Sequence, residues 1–203
     1  MTIEELKAKQ ARCQLCKEYL DPKPILWGNS DAKIVSISQA PSLNVSKTGK
    51  PFSDKSGEKL RKEWYQVSDD IFYNPDNFYF TAYGKCYPGR DPKGGDRKPP
   101  KICAEIWLTK EVNLLKPKLF LVLGRLPSNY LFPRKDYADL IFNNQRLNGV
   151  LTLVLPHPSP LNIKWFKDHP KFETERLPEI RKYIRKALGI DPTKTNPKGS
   201  EAL

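Results

Sequence analysis

The sequence has no long hydrophobic run. No stretch approaches the roughly 20 consecutive apolar residues that span a bilayer, so we expect neither a membrane span nor a membrane partner. The first seven residues carry charges and lack the apolar core of a signal peptide. We therefore expect the protein to be cytoplasmic.

Cysteine is scarce, which argues against the disulfide framework that small secreted domains use. The chain has four cysteines among 203 residues, and in a reducing compartment we expect them to bind a metal. Cys13 and Cys16 form a C-x-x-C pair, and sixteen residues separate Cys86 from Cys103. Four thiolates hold either a tetrahedral zinc or a 4Fe-4S cluster. The spacing alone favours zinc, and buried free thiols are the remaining interpretation.

Acidic residues are outnumbered by basic ones. The chain has 23 Asp and Glu against 35 Lys and Arg, which gives a net charge of +12. This excess favours an anionic partner, and the four Trp, nine Tyr and nine Phe make nucleic acid a natural candidate. Charge alone does not distinguish a nucleic-acid-binding protein from other basic proteins.

Four apolar segments alternate with amphipathic ones, and the sequence shows no internal repeat. The predicted strands are residues 33–38, 78–82, 119–123 and 151–155. Helices are predicted from Thr2 toward Cys13, from an N-cap at Ser56, from Ile102 to Leu115 and from near Pro178. This alternation predicts an α/β protein, a three-layer α/β/α sandwich with a mainly parallel, four-stranded central sheet.

The length is suited to one domain. A chain of 203 residues can bury one core but is too short for two ordinary domains, so we assign residues 1–190 to a single domain. Residues 191–203 are polar and show no periodicity, which predicts a disordered tail. In parallel sheets ligands lie beyond the carboxyl ends of the strands. Three predicted loops leave those ends, at Gln39, Gly84 and His157.

The loop after the last strand carries the clearest motif, His157-Pro158-Ser159-Pro160-Leu161. Its prolines stiffen the backbone, and the hydroxyl between them can donate to a phosphate. The motif resembles the second signature of the uracil-DNA glycosylases. The resemblance implies that His157 donates to the O2 of uracil, that Ser159 grips the DNA backbone and that Leu161 fills the gap left by the extruded nucleotide. Asn162 follows directly, and it would face the sugar or the base.

The loop after the first strand provides a second match. Ser38-Gln39-Ala40-Pro41-Ser42 resembles the first signature of the iron–sulfur branch of that family, commonly Gly-Glu-Ala-Pro-Gly. Gln39 would then orient the attacking water, and Ala40 holds the position where relatives have Asp or Asn. The segment that ends in Phe52 resembles the one whose Phe stacks on the base. Asn44 and Asp54 are further candidates for the base pocket, with loop capping as their alternative role.

The cysteine layout is the third match to the iron–sulfur branch, with the third cysteine in Gly84-Lys85-Cys86. The resemblance implies that all four cysteines hold a 4Fe-4S cluster, with structural zinc as the alternative. The basic segment 85–101 between Cys86 and Cys103 is a candidate for tracking phosphates, with a solvated surface loop as its alternative. Its candidate DNA contacts are Lys85, Arg90, Lys93 and Arg97.

Two departures from the family pattern concern activity. Gln39 has no negative charge to stabilise an oxocarbenium-like sugar, and Ala82 stands where the branch has its base-reading Asn. The resemblance therefore leaves two hypotheses: a DNA glycosylase, with uracil as the default base, or a non-catalytic member that binds flipped or damaged bases. A zinc-stabilised nucleotide- or RNA-binding domain is a more distant third. In the first two cases the partner is single- or double-stranded DNA, and we expect a monomer.

Overall fold

A five-stranded sheet forms the centre of the protein. The computed structural model describes residues 1–159 and 161–191. The strands are β1 (Ile34–Ser38), β2 (Phe78–Ala82), β3 (Leu119–Leu123), β4 (Gln145–Leu147) and β5 (Val150–Leu155), arranged in the order β2-β1-β3-β5-β4. The first three and β5 pair in parallel, whereas β4 is antiparallel to β5. The four predicted strands and the α/β class are thus confirmed.

The sheet has one strand more than predicted. β4 is three residues long and joins β5 through a tight turn, in which Asn148 has a φ of 50° and Gly149 a φ of 80°. Asn-Gly at positive φ is typical of two-residue hairpins. The strand is too short to show an alternating pattern, but the Asn-Gly turn was a signal for it.

Helical segments cover the sheet. The α-helices are α1 (Ile3–Ala11), α2 (Leu43–Thr48), α3 (Lys55–Glu58), α4 (Asp69–Phe72), α5 (Lys101–Cys103), α6 (Thr109–Leu114), α7 (Arg125–Leu131), α8 (Tyr137–Phe142), α9 (Ile163–Asp168) and α10 (Leu177–Leu188). π-helical turns extend α3 (Lys59–Tyr65), join α5 to α6 (Ala104–Leu108) and precede α10 (Phe172–Arg176). No helix in the described parts of the chain is long and apolar enough to cross a membrane. Apart from Asp191, the predicted tail lies outside the described residues.

Alternating side chains of β2 show how the layers are arranged. Successive residues of a strand point to opposite faces of the sheet. Phe78 and Phe80 pack on Phe72 of α4, whereas Tyr79 and Thr81 hydrogen-bond Glu111 of α6. The helices α4 and α6 therefore lie on opposite faces, as a three-layer sandwich requires.

A buried ion pair connects β2, α6 and the loop after β2. The Lys85 ammonium donates to both Glu111 and Thr81, and Tyr79 donates its hydroxyl to the same carboxylate at 3.0 Å. Lys85 is 3% exposed and Glu111 is 1% exposed. Desolvation makes such a pair weak evidence of net stabilisation, but removal of one partner leaves a buried charge without compensation.

We expect Glu111→Gln to lower the free energy of unfolding by about 3 kcal/mol, because it leaves the Lys85 ammonium buried without a counter-charge. Urea unfolding at neutral pH measures this change. Glu105→Gln is the control, since the Lys101–Glu105 pair lies at the surface and its loss should leave the urea midpoint unchanged. Equal midpoints for the two variants would contradict a supporting role for the buried pair.

Candidate functional site

A cavity of about 260 Å³ opens at the carboxyl ends of the parallel strands. Gln39 lines it from the loop after β1, Ala82 from the end of β2, Leu123 from the end of β3 and His157 from the loop after β5. Phe52 lines the same cavity from the segment between α2 and α3. Residues more than a hundred positions apart in the chain thus share one wall.

Phe52 has a backbone conformation that is rare for a residue with a side chain. Its φ is 53°, in the left-handed region. Its carbonyl oxygen accepts hydrogen bonds from Arg61 Nη1 at 2.7 Å and from the Tyr73 hydroxyl at 3.1 Å. A Cβ atom at Gly57 would lie 1.9 Å from that carbonyl oxygen, so glycine is required there. Because these contacts fix the strained backbone, they also fix the Phe52 ring at the cavity wall.

His157 is held as a hydrogen-bond donor. The backbone N–H of Ser159 donates to His157 Nδ1 at 3.1 Å, which requires Nδ1 to be unprotonated. Burial lowers the pKa of His157, while the nearby carboxylate of Asp54 acts in the opposite direction. The residue is nevertheless solvent-exposed, because its ring opens into the cavity. A neutral imidazole in this tautomer presents Nε2–H as its free donor.

Asp54 and Gln39 supply polar groups to the same cavity. Asp54 caps α3: its carboxylate accepts from the Gly57 N–H at 3.0 Å and from the Ser42 hydroxyl at 2.9 Å. The capping role considered for Asp54 is thus observed, and the predicted N-cap at Ser56 is wrong. Gln39 lines the cavity with an amide that can hydrogen-bond a ligand.

The structure does not bring every candidate to the cavity. Ala40 lines it, but Asn44 does not. Asn44 lies in α2, which was not predicted, and donates to the carbonyl and hydroxyl oxygens of Ser53 at 3.2 and 3.0 Å. Because Asn44 does not line the cavity and its amide is hydrogen-bonded to Ser53, its assignment to the base pocket is not supported by its position.

The loop after His157 forms one rim of the cavity. Leu161 is 90% exposed and Ile163 is 70% exposed, so two large apolar side chains project into solvent here. Asn162 Nδ2 donates to the His157 carbonyl at 3.1 Å, and the Leu161 N–H donates to the Ser159 hydroxyl at 3.2 Å. Asn162 therefore braces the loop. Pro160 lies outside the described residues.

The basic loop contains exposed cations, with one exception. Arg90, Lys93 and Arg97 are exposed, and Arg90 forms an antiparallel bridge with Asp96 that folds the loop as a hairpin. The prediction that Lys85 contacts phosphate is wrong for this structure, because its ammonium is buried against Glu111.

The four cysteines line a second cavity, on the α6 side of the sheet. Two of their sulfur atoms already accept hydrogen bonds. The Lys85 N–H donates to Cys103 Sγ at 3.3 Å, and the Tyr19 hydroxyl donates to Cys16 Sγ at 3.1 Å. Hydrogen bonds of this kind are typical of sulfur ligands, because they stabilise the thiolate.

Two residues that line this cavity carry buried N–H groups without a partner among the described residues. Gln10 and Trp107 line the same cavity, and neither the Gln10 amide nor Trp107 Nε1 hydrogen-bonds a described residue. Within the described ranges, no three Cys, His, Asp or Glu side chains form a group that could hold a metal ion. The cysteines thus surround a shared cavity without converging on a single point. A donor set of four thiols with unpaired N–H groups beside it fits a bound group that offers several acceptors.

Comparisons with known proteins agree with this geometry. Residues 26–181 match the family model of the uracil DNA glycosylase superfamily. The type-4 uracil-DNA glycosylase of Saccharolobus solfataricus is 29% identical over 128 residues, which are 62% of this chain and 56% of that protein. Those of Sulfurisphaera tokodaii and Archaeoglobus fulgidus are 25% and 26% identical, over 66% and 68% of this chain and 59% and 65% of their own lengths. The matches thus span less than two thirds of each of these relatives.

We expect NMR to find His157 as the neutral Nε2–H tautomer at pH 7, with a pKa below the ordinary histidine value because burial disfavours the imidazolium. Asp54→Asn should lower this pKa further, since the carboxylate favours the charged ring. Imidazole ¹H–¹⁵N spectra recorded across a pH titration measure both properties, with His169→Gln to assign the signals. An Nδ1–H tautomer, or a pKa that rises in Asp54→Asn, would contradict this description.

Proposed function

Because the chain belongs to the uracil-DNA glycosylase superfamily, we propose that it is a DNA glycosylase that hydrolyses the N-glycosidic bond of a base extruded from DNA. The observation that carries this proposal is the shared cavity, where the Nε2–H of His157 faces the same space as Phe52. An aromatic wall and a fixed donor are what a flipped base requires. The curated relatives are named type-4 uracil-DNA glycosylases.

His157 and Phe52 would act on the leaving base. The base stacks on the Phe52 ring, and His157 donates to a base carbonyl, where negative charge grows as the bond breaks. A preorganised donor of this kind stabilises the transition state more than the ground state. Uracil is the default substrate, as in the family. Because Ala82 lines the cavity but has no hydrogen-bonding side chain to read the base edge, we include other deaminated bases in the substrate class.

Gln39 and Asp54 would act on the sugar and the water. The Gln39 amide orients a water molecule toward C1′, and the Asp54 carboxylate supplies the negative charge that an oxocarbenium-like sugar needs. The C1′–N bond breaks with its electron pair on the base, and the water oxygen bonds to C1′ and loses a proton, which neutralises the departing base anion. The products are the free base and an abasic site. Asp54 thus compensates for the uncharged side chain of Gln39.

DNA would be held at the rim of the cavity. Leu161, with Ile163 beside it, fills the space of the extruded nucleotide, since an apolar wedge replaces the lost stacking. Ser159 approaches the backbone next to the target base. Arg90, Lys93 and Arg97 contact phosphates from the exposed hairpin.

The four cysteines would hold a 4Fe-4S cluster. All four line one cavity, and four thiolates are the ligand set of such a cluster, with structural zinc as the alternative. When bound, the cluster would supply iron–thiolate bonds that tie the Cys13–Cys16 pair to both ends of the basic loop. The protein's own contribution is the cavity and its hydrogen bonds to the sulfur atoms.

The reaction can be tested directly. Oligonucleotides that contain uracil, hypoxanthine or xanthine are incubated with the anaerobically purified protein, and abasic sites are scored by alkaline strand cleavage. Release of at least one of these bases supports the glycosylase. Tight binding to the modified strands without release would instead identify a non-catalytic binding protein. That alternative rests on the uncharged Gln39 and on Ala82.

We expect His157→Ala to reduce the rate of base release by roughly 100-fold or more, because it removes a donor that acts mainly in the transition state. DNA affinity should change little. Single-turnover cleavage measures the rate, and fluorescence anisotropy measures the affinity. His169→Ala is the matched control, since His169 does not line the cavity. A His157→Ala protein that cleaves as fast as the parent would overturn the proposed mechanism.

We expect joint replacement of Arg90, Lys93 and Arg97 by Gln to flatten the salt dependence of duplex binding, by roughly 0.9 in log–log slope for each phosphate that the hairpin no longer neutralises. The control replaces three exposed lysines outside this hairpin, Lys116, Lys182 and Lys186. It removes the same number of positive charges, so it distinguishes the effect of local phosphate contacts on the salt dependence from the effect of net charge. An equal slope for the two variants would show that the hairpin does not contact phosphates and is a solvated surface loop.

A further inference from the structure

We propose that Gln10 and Trp107 donate N–H hydrogen bonds to sulfur atoms of the iron–sulfur cluster and thereby stabilise its reduced form. This inference rests on the cofactor assigned under the proposed function. It adds a role for two residues outside the four cysteines, and it predicts a property of the cluster that can be measured without DNA.

Gln10 is a polar residue in a position that its surroundings do not explain. It lies in the last turn of α1, is 0% exposed, and both atoms of its amide lack partners among the described residues. The Cys13 N–H donates to the Gln10 carbonyl at 2.9 Å, so this residue is tied by its backbone to the first cysteine. Its side chain lines the cavity that the cysteines surround.

Trp107 provides the second donor from a different element. It is 8% exposed, and its Nε1 is buried without a partner in the described part of the chain. Trp107 follows Cys103 by four positions in one continuous helical segment, a spacing that places both residues on the same face. It lines the same cavity as Gln10.

Two unsatisfied donors on one cavity point to an acceptor between them. Buried N–H groups almost always have a partner, because desolvation without a hydrogen bond is costly. Gln10 and Trp107 are not paired with each other. The acceptors that the cavity would contain are thiolate and sulfide atoms, and Cys103 Sγ already accepts one N–H, from Lys85.

The consequence for the cluster follows from its charge. Reduction adds an electron, so N–H groups directed at the sulfur atoms stabilise the reduced form more than the oxidised form. Hydrogen bonds to sulfur are among the factors that set the potential of such clusters. Loss of either donor should therefore lower the reduction potential.

The test compares Gln10→Met and Trp107→Phe with the parent protein. Gln10→Met keeps the length of the side chain, Trp107→Phe keeps an aromatic ring, and both remove the N–H. We expect each to shift the reduction equilibrium roughly tenfold toward the oxidised form, which corresponds to about 59 mV for a one-electron couple. Redox titration of the anaerobic holoprotein, followed by EPR, measures the shift. Iron release to a chelator should also become faster.

Trp64→Phe is the matched control. Trp64 is 1% exposed and its Nε1 also lacks a partner among the described residues, but it does not line the cysteine cavity. The same chemical change at this position should leave the potential and the iron release of the cluster unchanged. A shift as large as that of Trp107→Phe would show that a general loss of packing, and not a hydrogen bond, is responsible.

The outcomes separate this inference from the proposed function. Parent-like potentials and iron release in both variants would overturn the inference while leaving the cluster in place. A colourless parent protein with stoichiometric zinc would overturn both the inference and the cluster, whereas base release from modified DNA is scored independently. Should Gln10→Met fail to fold, Gln10→Leu removes the same N–H donors without adding a charge and must show the same direction of shift.

Discussion

The parallel pairing of four strands is the constraint on which the site depends. β1 pairs with β2 up to Ser38 and Ala82, and β3 pairs with β5 up to Leu123 and Leu155. Because parallel strands end at one edge, the loops that follow them begin within a small area. Backbone hydrogen bonds extend the pairing beyond the strands: the Gly84 N–H donates to the Gln39 carbonyl at 2.9 Å. The register of the strands therefore determines where the cavity lies, whichever side chains line it.

Lys85 connects the two cavities. It lines both of them, its N–H binds Cys103 Sγ, and its ammonium is fixed by Glu111 under the sheet. A displacement of the cysteine-bound segment would therefore move the wall of the cavity that faces His157. When bound, the proposed cluster would stabilise this shared wall as well as the ends of the basic hairpin. Lys85 thus gives the two cavities a common wall.

The sequence predicted those features that follow from local pattern. β2 and β3 are apolar throughout, which is typical of strands buried on both faces, and the shared edge of parallel strands then placed Gln39, Phe52 and His157 together. Lys85 was predicted to contact DNA because a basic run does not show which lysine side chain is buried. Its partner, Glu111, lies 26 positions further along the chain.

Two other features, helix α2 and the buried Gln10, depend on tertiary contacts, but the sequence contains weak signals of each. The helix α2 is bounded by Ser42 as N-cap and Gly49 in the left-handed conformation, both common at helix ends, and recognising it would have directed Asn44 away from the pocket. Gln10 on the buried face of α1, close before the first cysteine, was a comparable signal. Only the structure shows that its amide is buried without a hydrogen-bond partner among the described residues.

The cavity combines a carboxylate, that of Asp54, with a neutral imidazole donor, that of His157. The family signature that the first loop resembles has a carboxylate at the position of Gln39, and Asp54 brings a carboxylate to the same cavity from another loop. Its oxygens are fixed by the Gly57 N–H and the Ser42 hydroxyl, so its charge is oriented before any substrate binds. A fixed charge stabilises a developing cation without reorganisation. The same carboxylate opposes the effect of burial on His157. A carboxylate and a neutral imidazole can thus share this cavity because burial lowers the pKa of His157 more than the Asp54 carboxylate raises it.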